Sequence, residues 1–457
     1  MVELARSNDL GGLSSVDPAD ARLEAGGGDV RDLRRKLWVA AKRSPGRRFH
    51  ALFDRICRSD VLWEAWVRVQ RNKGAAGVDK QTVAAVRDYG VERLLGELQR
   101  DLRDGSYRPQ PVRRVEIPKP AGGKRPLGIP TVRDRVCQQA ARLVLEPIFE
   151  ADFLEVSYGF RPRRKATDAK EVLRRSFIDG YQFVFEADIR NYFSEIDHER
   201  LLGLVAERVS DRRVLKLIRK WLRAGVMEEG ALRRTVAGTP QGGVISPLLS
   251  NIYLQALDRA FADGAHGRLV RYADDFVVIC RSEAEARAAQ RLAGGVLAGL
   301  GLELHPEKTK VVDLREGREG FDFLGCHFRA RVSGRMLERG IRRYYLQRWP
   351  SQRAMTRVRG KIKAKTGRGR AGQNIREVIA ELNPILRGWG NYFRTGNAAK
   401  KFNQIDYYVV GRLRALMVKR YGRNLRPGQV LDWTREWFEA HGLYRLRGTI
   451  RYPGYAS

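Results

Sequence analysis

Apolar residues along this chain change their spacing several times, and each change marks an element. Between about residues 30 and 69 they recur every three or four positions, as in RRKLWVAAK and FHALFDRICRSDVLWEAWVRVQ, which predicts helices. NKGAAGVDKQT (72–82) loses that pattern and carries Asn, Asp and Gly, so it reads as a loop. VRRVEIPKPAGGKRPLGIPT (112–131) reads as strand, Gly-rich turn, strand: a basic hairpin. VRDRVCQQAARLVLEPIFE returns to helical spacing, with Pro147 expected to kink or stop the helix.

In QFVFEADIRNYF (182–193), Phe183, Val184, Phe185 and Ala187 lead to Asp188, a buried strand ending in a carboxylate. HERLLGLVAERVSDRRVLKLIRKWLRAGV is helical by its period. TPQGGVISPLLSNIYLQALDRAFA starts as a Gly-rich turn and becomes a helix past Pro247. RLVRYADDFVVIC (268–280) is an apolar hairpin with Asp274 and Asp275 at its tip. A helix near 282–299 follows, then an apolar strand pair in FDFLGCHFRA. From about 340 onward the chain reads as helical, with loops at 364–373 and around GRNLRPGQ. Residues 1 to about 30 lack apolar periodicity and read as a flexible tail. The predicted order is helices, a mixed α+β core with antiparallel hairpins, then an all-α module, without internal repeats.

Charge sharpens this division. The 457 residues, enough for two or three domains, hold 87 Lys and Arg against 53 Asp and Glu, a net +34. Charge of that size opposes compaction by self-repulsion and suits a polyanionic partner. The basic residues are spread over folded-looking sequence rather than gathered in one amphipathic helix, which favours nucleic acid over a membrane surface. From Arg329 to Ser457 there are 30 Lys and Arg and 7 Asp and Glu, so this last part carries +23 of the total. Cys57, Cys137, Cys280 and Cys326 form no C-x-x-C pair, and the six histidines are scattered, so no local metal-ligand spacing exists. They read as reduced, buried thiols of a cytosolic protein. The N-terminus lacks a secretory pattern, and no run approaches 18 apolar residues, so no membrane partner is expected.

The adjacent acids of the hairpin carry the candidate chemistry. Two carboxylates between apolar strands either cap an exposed turn or hold something positive. If the strand before Asp188 neighbours this hairpin, three carboxylates converge where they repel or take up protons unless a cation neutralises them. Hard oxygen ligands of this kind suit Mg²⁺. Two such ions can activate an attacking 3′-oxygen and stabilise a leaving pyrophosphate.

YADD (Tyr272–Asp275), with FEADIRNYFSEIDH upstream and TPQGGVISPLLSNIYL between, resembles the palm of a reverse transcriptase. RPLGIPTVRDRVCQQA, SYGFRPRRKATDA, HPEKTKVV and FDFLGCHF, in that order, and LNPILRGWGNYFRTG (382–396) after them, are similar to the intron-encoded proteins of bacterial group II introns. The resemblance runs from about residue 30 to about 450. It implies an α+β right-hand polymerase, with fingers and palm built on antiparallel sheet, followed by an all-α basic thumb and maturase domain. The corresponding boundaries are a tail at 1–30, fingers with an N-terminal helical extension at 31–180, a palm at 181–330 and the thumb/maturase region at 331–457. A short DNA-binding tail would have to fit within 420–457.

Carried onto this chain, the resemblance makes Asp188 and Asp274 metal ligands, with Asp275 completing the acidic cluster and the Ile189 carbonyl a backbone ligand. Two Mg²⁺ ions are implied, with Mn²⁺ as a substitute. Phe193 matches an aromatic gate against a 2′-hydroxyl; its bland alternative is an ordinary core phenylalanine. Lys119 and Arg125 of the hairpin match residues that grip a triphosphate, against a reading as a solvated basic loop. Gln241 matches the floor of the nucleotide site, where Gly242 permits close backbone approach. Lys308 is placed to protonate pyrophosphate, or is a surface lysine. Arg161, Arg164, Arg387, Arg394, Lys400, Lys401 and Arg412 are assigned to RNA or template. In RGWGNYFR and DYYVVGRLRALMVKRYGR, cations interleave with aromatics as in surfaces that hold phosphates and stack bases, although Trp389 reads better as core.

The implied partners are group II intron RNA, an RNA template with a DNA primer, deoxynucleoside triphosphates and target DNA. The implied location is the bacterial cytoplasm, as a ribonucleoprotein. The paired Cys and His ligands of the family's C-terminal endonuclease are missing after Cys326, so that activity is expected to be absent. Two alternatives stay open: an RNA-binding maturase that needs no polymerase activity, and a related reverse transcriptase recruited for cellular repair or defence.

Overall fold

The computed structural model describes residues 18–118, 124–228, 231–233 and 242–451. Lys119 and Gln241 lie outside the described residues, and of Arg125 only the backbone is described. The strands are β1 (Val112–Pro118), β2 (Lys124–Ile129), β3 (Phe183–Ala187), β4 (Val226–Glu228), β5 (Ala231–Arg233), β6 (Arg268–Tyr272), β7 (Asp275–Cys280), β8 (Lys310–Asp313), β9 (Gly320–Phe323), β10 (Cys326–Val332) and β11 (Tyr344–Pro350). They form three sheets, in the orders β2-β1-β4-β5, β6-β7-β3-β8 and β11-β10-β9.

The middle sheet is antiparallel throughout and separates two apolar cores. Because side chains alternate along a strand, its inner strands feed both. Phe183, Phe185, Phe276 and Val278 join a first core with the N-terminal helices, the helix Val132–Glu150 and the helix Glu283–Gly299. Val184, Val277 and Ile279 join a second core with β9, β10, β11 and the C-terminal helices Gln352–Lys365, Ile375–Phe393 and Ala399–Tyr421. The end of this sheet is therefore positioned from both sides.

The helix Val132–Glu150 is buried on nearly every side and satisfies its polar groups internally. Asp134 accepts from the Tyr107 hydroxyl at 2.6 Å and from Thr131 Oγ1 at 2.8 Å, and Glu146 accepts from Arg34 at 2.8 Å. Pro147 does not stop this helix, which runs on to Glu150. A proline removes the N–H that would bond the carbonyl four residues back. Here Arg34 donates to that carbonyl, of Leu143, at 3.3 Å.

Two further expectations differ. A helix already begins at Pro18, inside the expected tail, with proline at a position suited to a first helical turn. β11 occupies sequence expected to be helical, so the C-terminal helices start only at Gln352. Its residues have a period of two: Leu346, Arg348 and Pro350 are buried, while Tyr345, Gln347 and Trp349 are half-exposed. β11 pairs with the whole of β10, from Cys326↔Pro350 to Val332↔Tyr344.

The second core depends on a stacked pair, Phe321 and Phe328, with centroids 5.0 Å apart. Phe328 is fully buried. Phe328→Ala should cost about 3–5 kcal/mol, read as a lowered midpoint in urea-induced unfolding. A midpoint equal to that of the parent chain would show that this core does not carry the fold.

Candidate active site

The strand registers bring the distant acids to one end of the middle sheet. Ala187 at the end of β3 pairs with Phe276 of β7, and Tyr272 of β6 pairs with Asp275. One residue beyond Ala187, Asp188 therefore reaches the rung of Asp275, while Asp274 sits in the two-residue turn between β6 and β7.

That turn is conformationally costly. Ala273 has φ 59°, in the left-handed region that residues with a Cβ rarely adopt. Two-residue hairpins demand such a backbone and usually place glycine or asparagine there. The neighbouring chain keeps Ala273 in place: a Cβ on Gly159 would stand 2.4 Å from the Ala273 nitrogen. Arg271, fully buried, donates to the Ala273 carbonyl at 2.9 Å. Its other donors reach Asp258 Oδ1 at 2.6 Å, Asp258 Oδ2 at 2.5 Å, Asn251 Oδ1 at 3.0 Å and Ser157 Oγ at 2.8 Å. All five guanidinium N–H groups are thus used. Burial works against the charge of Arg271, but Asp258 outweighs it and holds the group above its ordinary pKa. Asn251 completes the support by donating to the Gly159 carbonyl at 2.9 Å.

Asp188 already has a cation. Lys308 donates to its Oδ2 at 2.6 Å. Their side chains are 57% and 34% exposed, so solvent screens the pair and a stronger cation can displace the ammonium. The backbone around Ile189, which is buried, is fixed by His305 N donating to the Asp188 carbonyl at 2.7 Å and Arg190 N to the Glu303 carbonyl at 2.9 Å. Neither bond uses the Ile189 carbonyl. Among the described residues, no three His, Cys, Asp or Glu side chains close on one point as a preformed metal cage would. The convergence expected of the three carboxylates is therefore looser than a cage. Magnesium commonly takes one or two carboxylates and fills its remaining positions with water and substrate phosphates. Asp188, Asp274 and the Ile189 carbonyl offer the hard oxygens that such an open site uses, so their chemistry suits the ion.

The two hairpin acids act on different neighbours. Asp274 adds to the upward push that burial exerts on the Tyr192 hydroxyl. Asp275 does the same, more weakly than burial, at Tyr392 of the helix Ile375–Phe393. Tyr392 also donates to the Leu324 carbonyl, in the turn between β9 and β10, at 2.9 Å. Beneath its ring lies the buried ammonium of Lys170, 4.1 Å from the centroid. The helix Ile375–Phe393 thus comes within electrostatic reach of the acidic end, a link that no sequence motif announced.

Phe193 is half-buried, edge-on to Tyr192 at 5.0 Å, and follows Asn191, whose φ of 47° turns the chain. Gly242 has φ 116°, and a Cβ there would stand 2.5 Å from the Gly128 carbonyl of β2. This brings the segment next to Gln241 against the β1–β2 hairpin. Val244 N donates to Gln138 Oε1 at 2.9 Å and anchors the same segment.

The assigned RNA contacts separate into two groups. Arg161 is buried and uses its guanidinium on Glu150 and on the carbonyls of Phe153, Leu154 and Ser157, so it belongs to the scaffold and not to an RNA surface. Arg164 is largely covered and pairs with Glu155 at 2.5 Å. Arg412 is committed to Thr366, at 3.0 Å to its hydroxyl and 2.8 Å to its carbonyl. Arg387 and Lys400 are exposed, and Arg394 and Lys401 half-buried. Trp389 packs against Phe393 and Phe402 in the second core. A signal for Arg271 did exist: a charged residue at an inward strand position needs a buried partner.

Arg271→Met should destabilise the chain by about 3–5 kcal/mol, because it leaves Asp258 buried and unpaired. Adding Asp258→Leu should recover much of that loss in the same unfolding experiment. Losses that simply add would show that the two side chains are not coupled.

Comparison with known proteins places this geometry. The model for "Reverse transcriptase (RNA-dependent DNA polymerase)" matches residues 117–328, and that for "Group II intron, maturase-specific domain" matches residues 355–432. Over 342 residues the chain is 36% identical to Protein YkfC of Escherichia coli (strain K12), covering 65% of this chain and 87% of YkfC. It is 40% identical over 214 residues to Group II intron-encoded protein LtrA of Lactococcus lactis subsp. cremoris, covering 46% of this chain and 35% of LtrA. Nuclear intron maturase 4, mitochondrial, of Arabidopsis thaliana is 31% identical over 140 residues, covering 30% of this chain and 17% of that protein. With both domain models matched in order and most of one relative covered, the chain belongs to the family of group II intron-encoded reverse transcriptases and maturases.

Proposed function

We propose that this chain is an RNA-directed DNA polymerase that extends a DNA primer on RNA at the end of the β6-β7-β3-β8 sheet. Its C-terminal helices would bind group II intron RNA to assist splicing. The observation that carries the polymerase reading is the register that sets Asp188 beside Asp275 with Asp274 in the adjoining turn.

Asp188, Asp274 and the Ile189 carbonyl would hold divalent metal, with Asp275 adding negative charge nearby. When bound, the metal supplies activation of the primer 3′-oxygen and neutralisation of the departing pyrophosphate. Lys308, whose Nζ donates to Asp188 Oδ2 at 2.6 Å, would serve as the acid for a pyrophosphate oxygen. Phe193, fixed against Tyr192, would exclude a 2′-hydroxyl from the sugar position. Lys119 and Arg125 would grip the triphosphate and Gln241 would form the floor of the nucleotide site, a role supported by the close approach of its neighbour Gly242 to the Gly128 carbonyl of β2. Arg387 and Lys400, exposed on the C-terminal helices, are the assigned RNA contacts best placed to meet phosphates, with Arg394 and Lys401 beside them.

Purified protein given an RNA template, a DNA primer, deoxynucleotides and Mg²⁺ or Mn²⁺ should extend the primer. Asp274→Asn and Asp188→Asn should each reduce the rate at least about a hundredfold. Extension that survives chelation of the metal, or that Asp274→Asn leaves unchanged, would overturn the assignment. For the maturase half, the double variant Arg387→Ala/Lys400→Ala should weaken intron RNA binding and lower its salt slope by about 0.7 per lost phosphate contact. An unchanged slope would remove these two residues from the RNA surface.

A further inference from the structure

We propose that the outer face of the β9–β10–β11 sheet is a second site for single-stranded RNA, separate from the acidic end of the middle sheet. Bases would stack on Trp349 and Tyr345, and Arg331 and Arg343 would hold phosphates. The choice of RNA as the polyanion rests on the proposed polymerase and maturase reading.

Strand alternation divides this sheet sharply. Phe321, Phe323, Cys326, Phe328, Ala330 and Leu346 point into the second core. His327 and Arg331 of β10 and Tyr345 and Trp349 of β11 lie on the opposite face. Cross-strand partners bring them together: His327 opposes Trp349, and Arg331 opposes Tyr345.

Trp349 and Tyr345 pack into neither apolar core, although both are half-buried. What covers Trp349 is polar. The His327 ring lies 5.2 Å from it, and the Arg331 guanidinium lies 4.6 Å from its ring centroid. Arg343 stands over Tyr345 at 5.5 Å. A core aromatic would be enclosed by apolar neighbours; these are planar groups interleaved with cations, the composition of a sequence-tolerant single-strand surface.

Charge points the same way. Cys326–Trp349 holds seven arginines and a single acid, Glu338, while β9 adds one acid to this face, Asp322, which is engaged by His327 Nδ1 at 2.7 Å. Of these arginines, Arg348 turns inward and is neutralised by Glu171 at 3.4 Å. Arg329 donates to the Gly317 carbonyl at 2.9 Å and keeps its charge at the surface. An acidic protein would complement the arginines but would have no use for the aromatic planes between them.

The test uses the full chain preloaded with a saturating RNA-template/DNA-primer duplex, so that the polymerase cleft is filled. Binding of a fluorescent 20-nucleotide oligouridylate is then followed by anisotropy. Trp349→Ala should weaken it about tenfold, and Trp349→Phe should restore it. Arg331→Gln should lower the salt slope by about 0.7. Should Trp349→Ala fail to fold, Arg331→Gln, an exposed substitution, decides alone. Oligouridylate affinity and salt slope unchanged in the folded variants would overturn the site. Primer extension by the parent chain is measured separately, so failure of the polymerase reading shows there and not in the oligonucleotide titration.

Discussion

Behind the acidic turn lies a fully buried ion pair, Arg271 with Asp258, and the rest of the site is arranged around it. An ion pair removed from water contributes little net stability unless every remaining hydrogen-bonding group is satisfied. Here all of them are, through Asp258, Asn251, Ser157 and the Ala273 carbonyl. The outcome is positional. Ala273 occupies a backbone region that it would leave if unsupported, and strain of this kind persists only where the surroundings over-determine it. Gly159 presses on one side of the turn and Arg271 holds the other. The orientation of Asp274 is thereby set by a scaffold that carries none of the chemistry itself.

The same turn belongs to two cores at once. β3 and β7 send alternate side chains into each, so neither core can shift without moving the sheet end. Tyr392 extends the coupling by joining a C-terminal helix to the β9–β10 turn while lying within electrostatic reach of Asp275. Packing contacts of this type transmit small displacements because close-packed interiors do not deform smoothly. The maturase-type helices and the polymerase-type sheet therefore behave as one mechanical unit at the acidic end, although sequence models match them as separate domains.

Much of this was legible along the chain, for physical reasons that differ by element. The strands β3 and β7 are short apolar runs with an acid at one end, and burial leaves such runs few other conformations. The β1–β2 hairpin announced itself by the Gly-Gly pair between two strand-like runs. β11 was missed because its alternation is carried by Tyr, Gln, Arg and Trp rather than by aliphatic residues, and its inward arginine disguised the buried face. Pro147 misled because a distant side chain, Arg34, satisfies the carbonyl it strands, and no local pattern records that. In the site, Asp188 was found from its strand, whereas its ion pair with Lys308 depends on tertiary placement. Arg161 shows the opposite failure: a basic residue in a basic motif, drawn inward by Glu150 and by backbone carbonyls.

The electrostatics explain why the acidic end is open rather than caged. In a chain of net +34, long-range fields already favour anions, and an approaching polynucleotide adds its own negative charge next to the carboxylates. A closed cage would neutralise the acids permanently and leave no positions for substrate oxygens. An exposed pair such as Asp188 with Lys308 neutralises the carboxylate only weakly, because solvent screens it. On the proposed reading, the ammonium would yield to a divalent ion and remain nearby as a proton donor. Strong burial behind the turn and weak pairing in front of it are complementary: the first sets where Asp274 stands, and the second would let Asp188 change partners without disturbing the fold.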